Sequence, residues 1–291
     1  MSTNTNPAQI ISKKMEKRGK EKVITADVLP EDCIATIISF TSPPDACRYS
    51  VLSRTFKSAV GWDLVWERFL PPDYQQIISQ SESLVSSLLN VLSKKDLYFH
   101  LCRNPVLIGN GNLSFGIDKL SGKKCYMLGA RELHIVWSNT TQYWKWVSSA
   151  ESPVLPQSRF SEVALLLKVC WFDIRGRIET NILSPNTTYG AYFVYTIADS
   201  FYELHHPVRV SVRLENENEG NATHAYLQPD TPEGQDGRLP RRREDRWLEI
   251  EIGEFFNGQV DSVADMHLLG TDGYIWKSGV VVHGRIELRP K

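Results

Sequence analysis

The spacing of apolar residues changes once along this chain, and this change constrains the fold more than any other feature. Before Pro105, apolar side chains recur every three or four residues, whereas after Pro105 they alternate with polar residues. Alternation with a period of two is typical of strands that bury one face. The sequence therefore predicts an α+β chain in two parts, helical first and all-β second.

The helical part begins after a charged segment, 1–25, whose composition is typical of a disordered tail. Residues 26–72 predict three short amphipathic helices; the first begins after Pro30 and the second behind the capping residue Ser42. Their apolar positions are, in order, Ile34, Ile37 and Ile38; Leu52, Phe56, Ala59 and Val60; and Trp62, Trp66, Phe69 and Leu70. So small a helical unit is expected to lean on a partner or a neighbouring domain.

A helical linker is predicted over residues 73–104. One side of it is lined by Ile77, Ser81, Leu84, Val85, Leu88 and Leu92, with Leu97, Leu101 and Cys102 beyond them. The pattern leaves two roles open: a rigid spacer that orients the second domain, or simple packing.

Residues 105–291 predict a β-sandwich or jelly roll. Alternating runs cover 133–137, 165–171, 189–197, 208–214, 248–252 and 280–288, whereas 160–164 fits a strand or a short helix. A polar insertion, 215–246, interrupts the pattern and contains the run Arg241-Arg242-Arg243. We interpret this run as a solvated charge cluster rather than a nuclear-import signal.

Charge and composition exclude several classes of partner and site. Lys and Arg number 33 against 34 Asp and Glu, so no net field favours nucleic acid or a membrane surface. The chain has no apolar run typical of a signal peptide or a membrane span, and we expect a cytoplasmic or nuclear protein. Five cysteines without a CxxC pair indicate no zinc site, His205-His206 is interpreted as a strand entry, and no metal or cofactor is expected.

Aromatic residues are densest between Trp137 and Trp146. An indole ring can stack on the C–H face of a sugar, and the turn chemistry after Trp137 predicts that part of this cluster lies at a loop edge. Tryptophan also commonly fills protein cores. For Trp146 and Trp171 we favour the core interpretation.

The helical residues resemble an F-box. The resemblance rests on Leu29-Pro30-Glu31-Asp32, the Ile34/Ile37/Ile38 face, Val51-Leu52-Ser53-Arg54 with Phe56, and Trp62 through Phe69. It implies docking on the Skp-type adaptor of a cullin-RING (SCF) ubiquitin ligase. The residues expected to form or support the adaptor-facing surface are Leu29, Pro30, Ile34, Ile38, Leu52, Ser53, Phe56 and Trp66. The alternative is that they only form the core of a helical subdomain.

The β part resembles the plant phloem-lectin (phloem protein type 2) domain, to which the tobacco-leaf lectin is related. The motifs include Gly122-Lys123-Lys124-Cys125-Tyr126, Arg159-Phe160-Ser161-Glu162-Val163, Leu183-Ser184-Pro185-Asn186 and Gly253-Glu254-Phe255-Phe256. Together with the F-box, this arrangement is similar to the B-type phloem-lectin-like F-box proteins. The resemblance implies a jelly-roll lectin domain for N-acetylglucosamine oligomers or N-glycans, with Trp137 and Trp144 as sugar-contacting residues and Tyr143 and Arg131 as further candidates; the alternative is that they support the fold.

These resemblances imply a substrate-recognition subunit that presents glycoproteins to an SCF ligase. A second hypothesis is a stress-related intracellular lectin whose F-box is vestigial. An enzyme, such as a glycosidase, is the weakest hypothesis, because Glu132, Glu162 and Glu179 form no recognisable pair and no nucleophile or phosphate-binding motif occurs. We therefore expect a non-catalytic receptor.

Overall fold

A computed structural model describes residues 29–81, 91–149, 156, 158–215, 217, 222–230, 236–258 and 260–291. It confirms the predicted two-part fold, in which helices precede a mostly antiparallel β-sandwich. The predicted tail, 1–25, lies outside the described residues. None of the helices in the described part combines the length and apolarity needed to cross a membrane.

Four short helices occupy the region predicted to hold three. They are α1 (Glu31–Ser39), α2 (Pro43–Tyr49), α3 (Arg54–Val60) and α4 (Asp63–Phe69). The second predicted helix is divided because Ser53 begins a new one: its Oγ accepts a hydrogen bond from the Phe56 amide at 3.3 Å. Ser42 caps α2 in the same way through the Asp45 amide.

Trp66 lies at the centre of the helical core. It is fully buried, and its Nε1 donates a hydrogen bond to the carbonyl of Val60 at 2.6 Å. The predicted linker supplies α5 (Tyr74–Ser79) and α6 (Lys94–Arg103), and the Tyr98 and Phe99 rings of α6 lie 5.2 and 5.1 Å from the Trp66 ring. The predicted apolar positions Leu84, Val85 and Leu88 lie outside the described residues.

Two antiparallel sheets form the β part. The strands of the larger sheet are β1 (Val106–Ile108), β2 (Leu113–Ile117), β3 (Lys124–Leu128), β5 (Trp144–Ser148), β6 (Glu162–Leu166), β8 (Thr187–Tyr202), β11 (Arg241–Arg242), β12 (Leu248–Asn257) and β14 (Ser278–Pro290). Those of the smaller are β4 (His134–Ile135), β7 (Phe172–Glu179), β9 (Val208–Leu214), β10 (Thr223–Ala225) and β13 (Val263–Gly270). The larger sheet has the order β1-β2-β3-β14-β8-β12-β11, with β6 also paired to β14 and β5 paired to β6, and the smaller has the order β10-β9-β13-β7-β4.

The alternating runs predict β8, β9, β12 and β14 correctly. The strand predicted over 165–171 is wrong, because β6 ends at Leu166 and β7 begins at Phe172. The segment 160–164, for which a strand or a helix was expected, opens β6. Along β9, Val208 and Val210 are fully buried and Arg209 is exposed, which is the alternation that a half-buried strand requires.

The helices are fastened to the sandwich by specific contacts. Lys124, at the start of β3, is buried and donates to Asp73 Oδ2 at 2.6 Å. A turn of the sandwich also approaches the helices closely: Gly122 has a φ of +71°, and a Cβ there would lie 2.6 Å from the carbonyl oxygen of Phe69. The described helices and both sheets share one apolar core. The linker therefore packs the two parts together, and the spacer role remains a prediction.

Candidate functional site

Helix α1 is apolar on two faces. Its inner face buries Ile34 and Ile38, which are 2% and 1% exposed. Its outer stripe consists of Pro30, Cys33, Ile37 and Phe40, all exposed and spaced by three, four and three residues, so they lie along one side of the helix. An apolar helix face that the fold leaves uncovered is typical of a partner-binding surface.

Further apolar side chains are exposed in the same helical region. Val51 and Leu52, in the turn between α2 and α3, are 83% and 64% exposed, and Leu29 before α1 is 38% exposed. The Arg68 guanidinium lies 4.1 Å from the centre of the Phe40 ring, which holds that exposed ring in place.

The predicted adaptor residues divide into surface and support. Leu29, Pro30 and Leu52 are exposed, so they fit a direct contact. Ile34, Ile38 and Trp66 are buried, whereas Ser53, which caps α3, and Phe56, whose ring lies 6.3 Å from that of Tyr49, are only partly buried. The three buried residues fit a supporting role, and the adaptor contact of all eight residues stays a prediction.

Three members of that stripe, Cys33, Ile37 and Phe40, are absent from the sequence-based candidates, as is the exposed Val51. The signal was present in the apolar residues at positions 30, 33, 37 and 40. Periodicity alone could not show whether this second face is covered.

The predicted sugar site centres on Trp137, in the loop after β4. Trp137 is 44% exposed and has a φ of +61°. Its ring lies 5.3 Å from the ring of Tyr143, which is partly buried and packs against the core. The Tyr143 carbonyl accepts a hydrogen bond from the Leu167 amide at 2.8 Å, which ties this loop to the end of β6. The pair presents an anchored aromatic surface at the loop edge.

Trp144 and Trp146 hold this loop in place through hydrogen bonds to its backbone. Trp144 Nε1 donates to the Val136 carbonyl and Trp146 Nε1 to the Ser138 carbonyl, both at 3.1 Å, so the two bonds flank Trp137. Trp144 is only 2% exposed, which argues against the direct sugar contact predicted for it, because its ring has no free face for stacking. It positions the residue that does have one.

Arg131 takes part in the same support. Its guanidinium lies 3.6 Å from the centre of the Trp146 ring and donates two hydrogen bonds to Glu162, from Nε at 2.9 Å and from Nη2 at 3.0 Å. The hydrogen bonds from Arg131 lower the pKa of Glu162. Arg131 is partly exposed but already engaged, so its first role is to hold Trp146.

Trp146 is partly buried against the core, as predicted, but Trp171 is not a core residue. Trp171 is 39% exposed at the start of β7, beside the bridge that joins Val169 to Lys277. The core prediction for Trp171 is wrong because the strand expected to carry it ends five residues earlier.

The insertion 215–246 contributes to both sheets. In the smaller sheet β10 forms one edge and β4, which precedes Trp137, forms the other. In the larger sheet β11 forms the edge beside β12. Of the described strands of the insertion, β10 therefore lies at the edge of the smaller sheet opposite β4, and β11 lies at an edge of the larger sheet.

Two members of the arginine run pair with the carboxylate of Glu249, although the side chain of Arg241 is 68% exposed. This carboxylate is 3% exposed and accepts hydrogen bonds from Arg241, from Arg243 at 2.7 Å and from Arg289 at 3.0 Å. Burial opposes its ionisation, but the bonds from Arg289 and Arg241 outweigh burial and lower the pKa of Glu249. Arg243 also pairs with Glu287. The network is structural, and Arg241 and Arg242 of the run are exposed.

Comparison with known proteins gives two family matches. The family described as Phloem protein 2 matches residues 123–290, and the F-box domain family matches residues 27–68. Among similar proteins from Arabidopsis thaliana, F-box protein At2g02240 is 44% identical over 91% of this chain and 80% of its own length. Putative F-box protein PP2-B12 is 45% identical over 90% of this chain and 97% of its own, and F-box protein PP2-B10 is 40% identical over 94% and 97%.

Solved structures add no argument about function. The CBM22-1 xylan-binding domain from Paenibacillus barcinonensis Xyn10C matches 54% of this chain and 92% of its own length, at 13% identity and a TM-score of 0.25.

Proposed function

Since this chain belongs to the plant F-box proteins that carry a phloem protein 2 domain, we propose that it is the substrate-recognition subunit of an SCF-type ubiquitin ligase. Its F-box binds the Skp-type adaptor and thereby the cullin, and its lectin-like domain binds N-acetylglucosamine oligomers or N-glycans of target proteins. The chain is a non-catalytic receptor that acts in the cytoplasm, the nucleus or both; other subunits transfer ubiquitin.

The observation that carries this proposal is the outer stripe of α1. Ile37 and Phe40 are 55% and 66% exposed in a helix whose opposite face is already packed. Leaving such side chains in water forgoes the free energy of burying them, about 1.5–3 kcal/mol for a large apolar side chain. A partner that covers the stripe recovers that free energy, and the stripe lies within the residues that match the F-box family.

The adaptor contact is tested by replacing exposed residues, since these substitutions leave the core intact. A double variant, Ile37→Ala with Leu52→Ala, is compared with the wild type for binding to a purified Skp-type adaptor. Truncating residues at the centre of an interface commonly costs about 2 kcal/mol or more, so we expect roughly 30-fold weaker binding.

Leu120→Ala is the matched control, because Leu120 is as exposed as Phe40, at 66%, but lies on the sandwich. It should bind the adaptor like the wild type. A wild-type chain that is folded and does not bind the adaptor contradicts the ligase role and favours a lectin with a vestigial F-box.

The sugar contact rests on Trp137 and Tyr143, supported by Trp144, Trp146 and Arg131. Stacking on an anchored indole favours the apolar face of a pyranose ring. We expect Trp137→Ala to weaken binding to an N-acetylglucosamine oligomer roughly tenfold or more in calorimetry. Trp276→Ala is the control, because Trp276 is 46% exposed, almost the same as Trp137. Equal affinity of both variants and the wild type would remove Trp137 from the site.

A further inference from the structure

The turn between β8 and β9 brings together three groups that can bind a metal ion. It contains Glu203, His205 and His206, whose ligand atoms all lie within 4.8 Å of one another. From the sequence alone, only the histidine pair is recognisable, and it predicts the entry of a strand. That strand, β9, begins two residues after His206, at Val208. The fold adds the carboxylate.

One oxygen of the Glu203 carboxylate lies close to both imidazole rings. Oε2 of Glu203 is 3.3 Å from Nε2 of His205 and 3.1 Å from Nε2 of His206. The ring centres are 4.3 Å apart with an interplanar angle of 36°, so the two nitrogens face the same oxygen from neighbouring positions.

These separations are close to the distance between two ligand atoms of one bound metal ion. Zinc binds histidine nitrogen and carboxylate oxygen at about 2.0–2.2 Å, so two ligands of a tetrahedral ion lie about 3.3–3.6 Å apart. An ion would need only small movements of side chains that are already partly exposed: 57% for His205, 38% for His206 and 25% for Glu203. The backbone that presents them is anchored by Leu204, which is 1% exposed in the core.

We propose that Glu203, His205 and His206 bind a borderline divalent transition-metal ion, with Zn²⁺ as the best fit. Two imidazoles and one carboxylate supply three of the four ligands that Zn²⁺ prefers, and water fills the fourth position at this exposed turn. The ion clamps the β8–β9 turn at the end of the longest strand of the sandwich. Ca²⁺ and Mg²⁺ fit this site less well than Zn²⁺, because both ions prefer oxygen donors and two of the three ligands here are nitrogens.

The competing account is that the two imidazoles donate N–H groups to Glu203, with no metal. The accounts differ in what Nε2 carries: a proton in the hydrogen-bonded turn, and a lone pair directed at the ion in the metal site. Titration of the full chain with Zn²⁺ alone separates them, using the wild type, His206→Ala, Glu203→Gln and the control His224→Ala. His224 is an exposed histidine on β10, outside the turn.

We expect one Zn²⁺ per chain at the turn, unchanged in His224→Ala and weakened by more than about tenfold in His206→Ala and in Glu203→Gln, since even the outer partners of metal ligands are worth roughly 10–100-fold in affinity. Glu203→Gln keeps a hydrogen-bond acceptor, so it guards against simple loss of the turn; circular dichroism checks its fold. Zn²⁺ binding that is equal in all four proteins would belong to other groups, such as the exposed thiols of Cys33 and Cys47, and would overturn the proposal, as would no binding at all.

Discussion

The outer stripe of α1 and the sheet surface around Glu249 use opposite kinds of side chain. On α1, Ile37 and Phe40 are apolar and exposed. On the larger sheet, Glu249 is charged and almost fully buried beneath Arg241, Arg243 and Arg289. The apolar side chains of the first region are not covered by the described part of the chain, whereas the carboxylate of the second receives its hydrogen bonds from within the chain.

This difference shows where a partner is needed. A dense group of charges in a sequence can suggest a binding site. A carboxylate that receives its hydrogen bonds from within the protein, however, contributes to stability rather than to binding. Uncovered apolar residues leave free energy that only another molecule can recover. Substitutions in the two regions therefore separate stability from binding.

The largest expected effect separates the two faces of α1. Ile34→Ala removes a buried side chain, and we expect the free energy of unfolding to fall by about 3–4 kcal/mol, because a cavity remains in the core. Ile37→Ala, on the exposed face, should change it by less than about 0.5 kcal/mol. Urea denaturation of both variants measures the contrast, and equal losses would mean that the outer face is also packed.

The next effect concerns the buried carboxylate of the sheet. Glu249→Gln leaves three arginines with a neutral partner, and we expect a loss of about 2–3 kcal/mol in the free energy of unfolding. Glu215→Gln is the control, because the Arg177–Glu215 pair is 58% and 60% exposed and should contribute less than about 1 kcal/mol. If Glu249→Gln matches this control, the network is not structural.

The smallest effect is the dependence of stability on pH through His267. Burial lowers the pKa of His267 below its ordinary value of 6.5, although Asp173, whose carboxylate lies 2.9 Å from Nε2, offsets part of the shift. The unfolded chain therefore binds this proton more readily than the folded chain. The corresponding stability is complete above the ordinary pKa and is lost as pH falls through it toward the folded pKa.

Comparing urea midpoints at about pH 7.5 and about pH 5.5 measures this loss. His267→Gln should show a smaller decrease than the wild type over the same interval. An identical decrease in both proteins would mean that His267 does not contribute.

The sequence predicts the long strands well because large apolar residues occupy their buried positions. Most of the buried positions in β8, β9, β12 and β14 hold Val, Ile, Leu, Phe or Tyr. It does not predict β13, whose buried positions are Ala264, Met266, Leu268 and Gly270. Ala264 and Gly270 are small, so only Met266 and Leu268 mark the buried face, and the pairing with β7 and β9 identifies the strand.

The sites were predicted less completely, because exposure depends on contacts between distant residues. Trp137 and Trp144 belong to one aromatic cluster, yet one is 44% exposed and the other 2%. The hydrogen bond from Trp144 Nε1 to the Val136 carbonyl, which joins residues eight apart, fixes Trp144 in its buried position and cannot be recognised from spacing. In the same way, Glu203 joins His205 and His206 only once the turn folds.

The proposed function requires one chain to bridge an SCF adaptor and a glycan. The most direct measurement is retention of the purified Skp-type adaptor on an N-acetylglucosamine-oligomer resin loaded with the chain. We expect retention with the wild type and loss with Ile37→Ala/Leu52→Ala, although that variant itself stays on the resin. Trp137→Ala should not be retained. A wild-type chain that stays on the resin while the adaptor flows through would contradict the claim.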